Sequence, residues 1–245
     1  MNKGIYEIKS NINIANGIYK MIIEGDTSSL TKPGQFVNIA IDGLFLRRPI
    51  SVCDWDESTI TLIYKVVGKG TEKMSQYQPT QKLDLLTGLG NGFDMSQSGQ
   101  APLIIGGGVG VPPMYGLAKR LCEQGITPTV IIGFNGKQDI FYEDEFKELG
   151  AKVYVTTADG SYGIKGFVND AMEQCNIEYT YFYCCGPEPM LKTIYNKTNT
   201  SGQLSFEERM GCGFGACMGC SCKTKYGNKR ICKEGPVLVK EEIIW

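Results

Sequence analysis

The first hundred residues alternate short apolar runs with turn-forming residues. The runs, rich in β-branched and other apolar side chains, are Ile18–Ile23, Phe36–Ile41, Ile60–Val67 and Leu83–Leu86. Turn residues such as Lys32-Pro33-Gly34 and Gly68-Lys69-Gly70 separate them. Many short strands at this spacing are typical of a β-sandwich or barrel, so residues 1–98 are predicted to form an all-β domain.

Near Gly99 the pattern changes to strands that alternate with helices. Met114, Leu117, Ala118, Leu121 and Cys122 recur at the spacing of one helix face. The remaining pattern predicts strands at Pro102–Gly106, Thr129–Gly133, Lys152–Thr156 and Tyr181–Cys185, and helices at Glu143–Leu149, Phe167–Gln174 and Glu188–Asn196. This alternation predicts βαβ units and a parallel sheet in a domain spanning residues 99–200.

The last region, residues 201–245, is rich in glycine and cysteine and is too small to hold a core alone. The whole chain has 245 residues, 42% of them hydrophobic, and a net charge of −1. That balance gives no electrostatic footprint for nucleic acid or an anionic membrane. The chain shows no signal-peptide pattern and no apolar run long enough to span a bilayer, so a cytoplasmic location is expected.

The chain contains ten cysteines and no histidine. Cytosolic thiols are kept reduced, so clustered cysteines there more often bind metal or do redox work than form disulfides. The absence of histidine excludes Ser–His and Cys–His catalysis, His-ligated zinc and Rieske-type clusters.

Four cysteines near the C-terminus carry the most specific signal. Cys212, Cys217, Cys220 and Cys232 follow the spacing C-x4-C-x2-C-x11-C, which matches the plant-type arrangement for a 2Fe–2S cluster. The glycines between them let the backbone wrap tightly and direct N–H groups at the cluster sulfurs. A structural zinc site is the alternative, although such sites usually use two paired knuckles. Cys222 is predicted not to be a ligand.

Two glycine-containing turns are candidates for nucleotide binding. Gly106, Gly107, Gly108 and Gly110 follow a predicted strand and open a helix, where backbone N–H groups can approach a pyrophosphate. Cys185, Gly186 and Pro187 also lie between a strand end and a helix, the position at which open parallel sheets bind ligands. The alternatives are a tight turn without ligand and, for Cys185, a small buried side chain.

Two arginines, Arg47 and Arg48, interrupt an apolar stretch of the β region. They are either solvated charges or, with their guanidinium forks, phosphate ligands. Lys69, Gly70 and Thr71 are predicted to form a second turn whose N–H and hydroxyl groups could contact the same phosphate.

Taken in order, these motifs resemble the ferredoxin–NADP reductase superfamily. Arg48-Pro49-Ile50-Ser51 resembles its flavin signature R-x-[YFI]-S, and Pro33-Gly34-Gln35-Phe36 resembles the strand before it. Gly106–Gly110 and Cys185-Gly186-Pro187 are similar to its two nicotinamide-nucleotide patches. The resemblance implies an antiparallel flavin-binding β-barrel, then a parallel-sheet nucleotide-binding domain, then a small 2Fe–2S region.

Within that superfamily, Glu208–Cys217, Cys232–Val237 and Asp159–Gly163 resemble the electron-transfer subunits of class 1B dihydroorotate dehydrogenases. The resemblance covers essentially the whole chain. It implies FAD contacts at Arg48, Pro49, Ile50, Ser51, Lys65, Val66, Val67, Gly70 and Thr71, NAD(H) contacts at Gly106, Gly107, Gly108, Gly110, Cys185, Gly186 and Pro187, and cluster ligands at Cys212, Cys217, Cys220 and Cys232. NAD(H) rather than NADP(H) is implied, and Asn135-Gly136-Lys137 lacks the arginine expected for a 2′-phosphate.

The implied function is electron transfer between NAD+ and the FMN of a catalytic dihydroorotate dehydrogenase subunit, through FAD and the 2Fe–2S cluster, in pyrimidine biosynthesis. A heterotetramer of two plus two subunits is implied, with the cluster region at the interface. No general base is needed, so no catalytic residue is predicted in this chain. The alternatives are the FAD/2Fe–2S subunit of a ferredoxin:NADP oxidoreductase, sulfide dehydrogenase or sulfite reductase complex, and a non-enzymatic zinc-binding module.

Overall fold

The computed structural model describes the whole chain, Met1 to Trp245. The strands are β1 Asn2–Ala15, β2 Ile18–Glu24, β3 Phe36–Ile39, β4 Arg48–Trp55, β5 Thr59–Lys65, β6 Lys82–Leu89, β7 Pro102–Gly107, β8 Thr129–Phe134, β9 Lys152–Thr157, β10 Ile164–Lys165, β11 Tyr181–Cys185, β12 Gly202–Ser205, β13 Ser221–Thr224, β14 Gly227–Arg230 and β15 Val237–Val239. The α-helices are α1 Lys69–Ser75, α2 Val111–Glu123, α3 Glu143–Glu148, α4 Val168–Gln174 and α5 Glu188–Lys197.

The first six strands close into an antiparallel barrel in the order β1-β2-β5-β4-β3-β6. Side chains that alternate along these strands fill its interior, and β3 shows the alternation clearly. Val37 and Ile39 belong to the barrel core, whereas Phe36 packs in a different core, with the C-terminal region. The barrel prediction is confirmed. The strands β1 and β4 were not predicted, because polar residues interrupt their apolar pattern.

A short helix replaces one predicted turn. Lys69, Gly70 and Thr71 form the first turn of the helix α1, where a loop turn was predicted. The Thr71 hydroxyl accepts hydrogen bonds from the backbone N–H of Val67 (2.9 Å) and Gly68 (3.3 Å) and so caps the helix start. Met74 is fully buried in the barrel core, which explains why this segment folds onto the barrel.

A seven-stranded sheet follows, in the order β10-β9-β8-β7-β11-β12-β15. All neighbouring strands are parallel except β15, which pairs antiparallel with β12 at the edge. The chain winds outward from β7 in one direction through β8 and β9, and from β11 in the other. The winding direction therefore reverses between β7 and β11. Residues 201–245 contribute two of the strands, so this region completes the sheet.

Helices cover both faces of the sheet. On one face, α2 and α3 contribute Leu117 and Phe146 to a core that also includes Cys53 and Ile63 of the barrel. On the other face, α4 and α5 contribute Ala171 and Ile194 to a second apolar core. Cys220, Ile231 and Cys232 of the C-terminal region belong to that second core. None of the helices is long and apolar enough to cross a membrane.

Candidate cofactor sites

The four predicted cluster ligands lie in two thiol pairs. In one pair, the loop after β12 carries Cys212 and Cys217, whose side chains interact. In the other, Cys220 and Cys232 flank the β13–β14 hairpin, and the backbone N–H of Cys232 lies 3.4 Å from the Cys220 sulfur. The hairpin explains the spacing, because it returns the chain to the point where it started.

Backbone donors surround the Cys212 sulfur. Burial raises the pKa of this thiol, but hydrogen bonds from the backbone N–H groups of Phe214, Cys217 and Ala216 lower the pKa to about 6. The Ala216 nitrogen lies 3.2 Å from the sulfur. A thiolate is the form that binds iron, so the loop favours the ligating state.

The second pair is buried. Cys220 and Cys232 are each 2% exposed. Desolvation, followed by the hydrogen bond with Cys220, raises the pKa of Cys232 to about 12. These two thiols are shielded from solvent, whereas Cys217 is exposed at the outer edge of the loop.

Two thiol pairs suit a dinuclear cluster, in which each iron takes two protein ligands. A single zinc ion would instead draw four thiolates to one point. Cys232 also interacts with Cys212, so the two pairs lie next to each other. Two adjacent thiol pairs fit a 2Fe–2S cluster. Cys222 is half-buried on β13 and packs against the second apolar core, where burial raises its pKa.

Arg230 secures the cluster loop from the side. Its Nη1 donates to the carbonyl of Gly215, and its Nε donates to Glu234 at 2.9 Å. Hydrogen bonds from Arg230 are the main reason that the pKa of Glu234 falls to about 2. The pair ties the loop that bears Cys217 to the segment that follows Cys232.

The predicted flavin motif forms the start of β4. Arg48, Pro49, Ile50 and Ser51 are all half-buried, while the next two residues of the strand are buried. Arg48 packs against the first turn of α1: a Cβ on Gly70 would lie 2.3 Å from Arg48 Nε. The structure thus brings Arg48 and Gly70 together, as the phosphate-site hypothesis requires.

Arg47, the neighbouring arginine, is oriented differently. It is paired with Asp84 at 2.8 Å and donates to the Asp84 carbonyl at 2.9 Å. Arg47 therefore has a structural role between the start of β4 and β6. Arg48 Nη1 donates to the Leu46 carbonyl at 2.6 Å, and the other side of its guanidinium faces Gly70.

A cavity of about 530 Å³ lies where the winding of the sheet reverses, at the carboxyl ends of β7 and β11. Ligands bind at this switch point in doubly wound sheets. Gly107, Gly108, Gly110, Gly186 and Pro187 line it, as do Lys65 and Ile18 of the barrel. The cavity therefore spans the barrel and the sheet.

Two residues that were predicted to contact NAD(H) lie beneath this cavity and do not line it. Gly106 is packed under Val111, and Cys185 is buried, with its carbonyl directly against Gly110. Burial, with a further contribution from Glu207, raises the pKa of Cys185 to about 12. Both residues shape the turn through close backbone packing.

Several cavity residues were not predicted from the sequence. They include Asn135, Asp139, Thr156, Asn169 and Glu207. Asn135 follows β8, Thr156 lies near the end of β9 and Glu207 follows β12, whereas Asp139 lies in a short helical turn and Asn169 in the first turn of α4. Glu207 lines the cavity just after β12 and is partly exposed to solvent, and desolvation by the cavity wall raises its pKa. Assigning Gly202–Ser205 as a sheet strand would have identified Glu207, because carboxyl ends of parallel strands meet at one edge.

Comparisons with known proteins agree with this architecture. A solved chain of an NADH-dependent reduced ferredoxin–NADP oxidoreductase is 31% identical, with a TM-score of 0.89, covering 99% of this chain and 90% of that one. The ferredoxin reductase of carbazole 1,9a-dioxygenase shares the fold at 20% identity and a TM-score of 0.70, over 80% of this chain and 64% of that one. The barrel and sheet therefore have the ferredoxin reductase-like fold.

Sequence relatives are more specific. Residues 207–244 match the iron–sulfur cluster binding domain of dihydroorotate dehydrogenase B, and residues 104–196 match an oxidoreductase NAD-binding domain. The dihydroorotate dehydrogenase B (NAD(+)) electron transfer subunits of Fusobacterium nucleatum subsp. nucleatum and Bacillus pumilus are 43% and 41% identical. The alignments cover 96% and 99% of this chain, and 96% and 98% of those proteins. The chain belongs to this family of electron-transfer subunits.

Proposed function

We propose that the chain is the electron-transfer subunit of an NAD-dependent dihydroorotate dehydrogenase. It passes electrons from a catalytic subunit to NAD+ in pyrimidine biosynthesis. The observation that carries this proposal is the placement of two thiol pairs against a reductase-type barrel and sheet in one chain. The printed names of the relatives supply the reaction, and a catalytic partner subunit follows from the word subunit itself.

The residues divide the work between three sites. The proposed FAD site is centred on Arg48 and Gly70. It also includes Pro49, Ile50, Ser51, Lys65, Val66, Val67 and Thr71. Gly107, Gly108, Gly110, Gly186 and Pro187 would hold NAD(H) across the switch point, with Gly106 and Cys185 shaping the turns. Cys212, Cys217, Cys220 and Cys232 would hold the 2Fe–2S cluster. When bound, the flavin exchanges a hydride with nicotinamide and single electrons with the cluster.

The protein would orient the cofactors, exclude water from the cluster site and stabilise the charge on the cluster ligands. The cavity at the switch point includes both Lys65 of the barrel and the glycine turn of the sheet, so a nucleotide bound there would extend toward the barrel. The donors around Cys212 stabilise negative charge on its sulfur. The buried pair Cys220 and Cys232 excludes water from the inner side of the cluster site.

The catalytic partner is proposed to carry FMN and to form a heterotetramer of two plus two subunits. Its docking face would include the exposed Cys217 edge of the cluster loop, where Phe214 and Met218 are also exposed. No substrate-handling base is proposed in this chain, so dihydroorotate chemistry belongs to the partner.

The test is co-expression with the FMN-containing catalytic subunit. The purified complex should contain FAD, FMN and two irons per chain of this subunit, and it should oxidise dihydroorotate with NAD+. The catalytic subunit alone should not use NAD+. A complex that uses other acceptors but never NAD+ would overturn the proposal.

A second candidate rests on the 31% identical chain from a ferredoxin–NADP oxidoreductase. In that case the chain would pass electrons between NADH and ferredoxin. The discriminating measurement is NADH-dependent ferredoxin reduction by the chain with and without the dihydroorotate-oxidising partner. A colourless preparation that contains zinc would contradict both candidates.

A further inference from the structure

One side chain joins the proposed flavin strand to the proposed cluster loop. Asn38 lies in β3, and its Cα is the register partner of Pro49 in the flavin motif. Its Nδ2 donates to the backbone carbonyl of Cys212 at 3.3 Å, across 174 residues of sequence. One residue therefore contacts both proposed redox sites.

The contact is tight. Asn38 is 1% exposed, although it is polar. Gly213 packs directly on it: a Cβ on Gly213 would lie 2.3 Å from Asn38 Nδ2. Gly213 also has φ +79°, which favours glycine. The chain after Cys212 is thus shaped to rest on this amide.

The strand that presents Asn38 is itself fixed. Arg47 Nη1 donates to the Asn38 carbonyl at 3.3 Å while the same arginine is paired with Asp84. Phe36, two residues earlier on β3, packs in the same apolar core as Cys220 and Cys232. Strand β3 therefore contributes Asn38 to the contact with Cys212 and Phe36 to the core that contains Cys220 and Cys232.

The environment of the Asn38 amide oxygen shows that the Nδ2 donor is the part of this side chain that forms a hydrogen bond. Asn38 Oδ1 is buried and has no hydrogen-bond partner. A buried unpaired oxygen destabilises a protein, and an apolar side chain of similar size would remove that cost. Asparagine at this position is therefore explained by the bond that its nitrogen donates to Cys212.

We propose that Asn38 is a positioning residue that fixes Cys212 relative to the flavin strand and so sets the rate of electron transfer between FAD and the cluster. This inference rests on the proposed function. Each transfer moves one electron between the cluster and the flavin, and no bond to the protein is formed. In the proposed direction the flavin would be reduced by two such transfers, with the partner's flavin re-reducing the cluster between them and protons taken up from solvent, before a hydride passes to NAD+. With NADH as the donor the same transfers run in reverse, and the partner's flavin re-oxidises the cluster between them.

The test compares Asn38→Leu, which is similar in size and cannot donate, with the wild-type chain in the holo-complex. Asn38→Leu should retain FAD and iron, and NADH should reduce its flavin at the wild-type rate. The cluster should then be reduced about tenfold more slowly or worse, the range seen when outer-shell partners of metal ligands are lost. Its EPR spectrum should also differ from that of the wild type.

A second variant and a matched control keep the result interpretable. Asn38→Asp keeps the size but places negative charge beside Cys212, so the cluster's reduction potential should become more negative. Asn91→Leu breaks another bridge between the barrel and the C-terminal region, to Glu234 and Val237, without touching a cysteine ligand. Asn91→Leu should transfer electrons to the cluster at the wild-type rate.

Three outcomes would overturn the inference. These are wild-type cluster reduction and EPR in both Asn38 variants, loss of iron from both, or equal slowing in Asn91→Leu. A wild-type chain that binds no FAD or iron, or whose flavin NADH does not reduce, would instead overturn the proposed function.

Discussion

Arg120 on α2 lies over the ring of Trp55 on β4, with the guanidinium carbon 4.3 Å from the ring centroid. Arg120 Nη2 also donates to the Trp55 carbonyl at 2.9 Å, and Lys119 and Arg120 both pair with Asp54. The backbone of Gly116 approaches the Cys53 carbonyl on the same strand. This contact sets the orientation of the flavin barrel relative to the nucleotide-binding sheet.

Arg120→Ala should lower the free energy of unfolding by about 1–2 kcal/mol, because a partly buried cation–π contact is lost. Urea unfolding followed by tryptophan fluorescence measures the change. Lys9→Ala, which removes an exposed ion pair with Glu24, serves as the control and should have no measurable effect. Equal effects of the two changes would show that Arg120 has no special role between the domains.

Arg48→Ala should release FAD, because the flavin site would lose the guanidinium that faces Gly70 at the start of α1. Flavin absorbance after gel filtration measures the loss. Arg47→Ala is the matched control: it should retain FAD and cost about 1–2 kcal/mol of stability, since the ion pair with Asp84 and the hydrogen bonds to the Asp84 and Asn38 carbonyls are lost. An Arg48→Ala protein with full flavin content would remove Arg48 from the site.

Cys217→Ser should lose the cluster yet keep FAD and NADH-driven flavin reduction, because Cys217 lies in the cluster loop, outside the set of residues proposed to hold FAD. Iron analysis and flavin bleaching by NADH are the measurements. Cys222→Ser should leave the iron content unchanged. A fall in iron for Cys222→Ser would show that the ligand set is different, and loss of both cofactors in Cys217→Ser would contradict separate sites.

The Arg230–Glu234 pair predicts a pH-dependent contribution to stability. The folded pKa of Glu234 is about 2, lowered mainly by Arg230 from the ordinary 4.5. A lowered carboxylate pKa stabilises the folded chain above the unfolded pKa, and this stabilisation is lost as the pH falls from 4.5 toward 2. Urea midpoints of the wild type and Glu234→Gln should therefore differ at pH 6 and converge toward pH 3. A constant difference would exclude the pair as its source.

Much of the sheet could be predicted because its signals are local. The buried strand Thr129–Phe134 and the helix that contains Leu117 and Leu121 can each be recognised from a segment of about a dozen residues. The glycine turn after β7 can be recognised for the same reason, because its glycines are consecutive or nearly so in the sequence. The carboxyl ends of these strands then place the nucleotide cavity.

The remaining features depend on pairing between distant segments. Strand β12 has four residues and β15 has three, too short for any periodic signal, and each is stabilised by the other. Glu207 was missed for that reason. The hydrogen bond from Asn38 to Cys212 could not be predicted, because nothing in the sequence around either residue indicates that the two lie close together in the fold.

The cluster region begins after β12 and ends at β15, and these two strands pair with each other. Beyond β15, the ring of Trp245 packs against Tyr195 and Phe206. The cysteines thus occupy an insertion closed at both ends, in contrast to a carrier domain on a tether. Such a centre cannot swing between donor and acceptor during turnover. It is a stationary relay, and any redox partner outside the chain has to come to it.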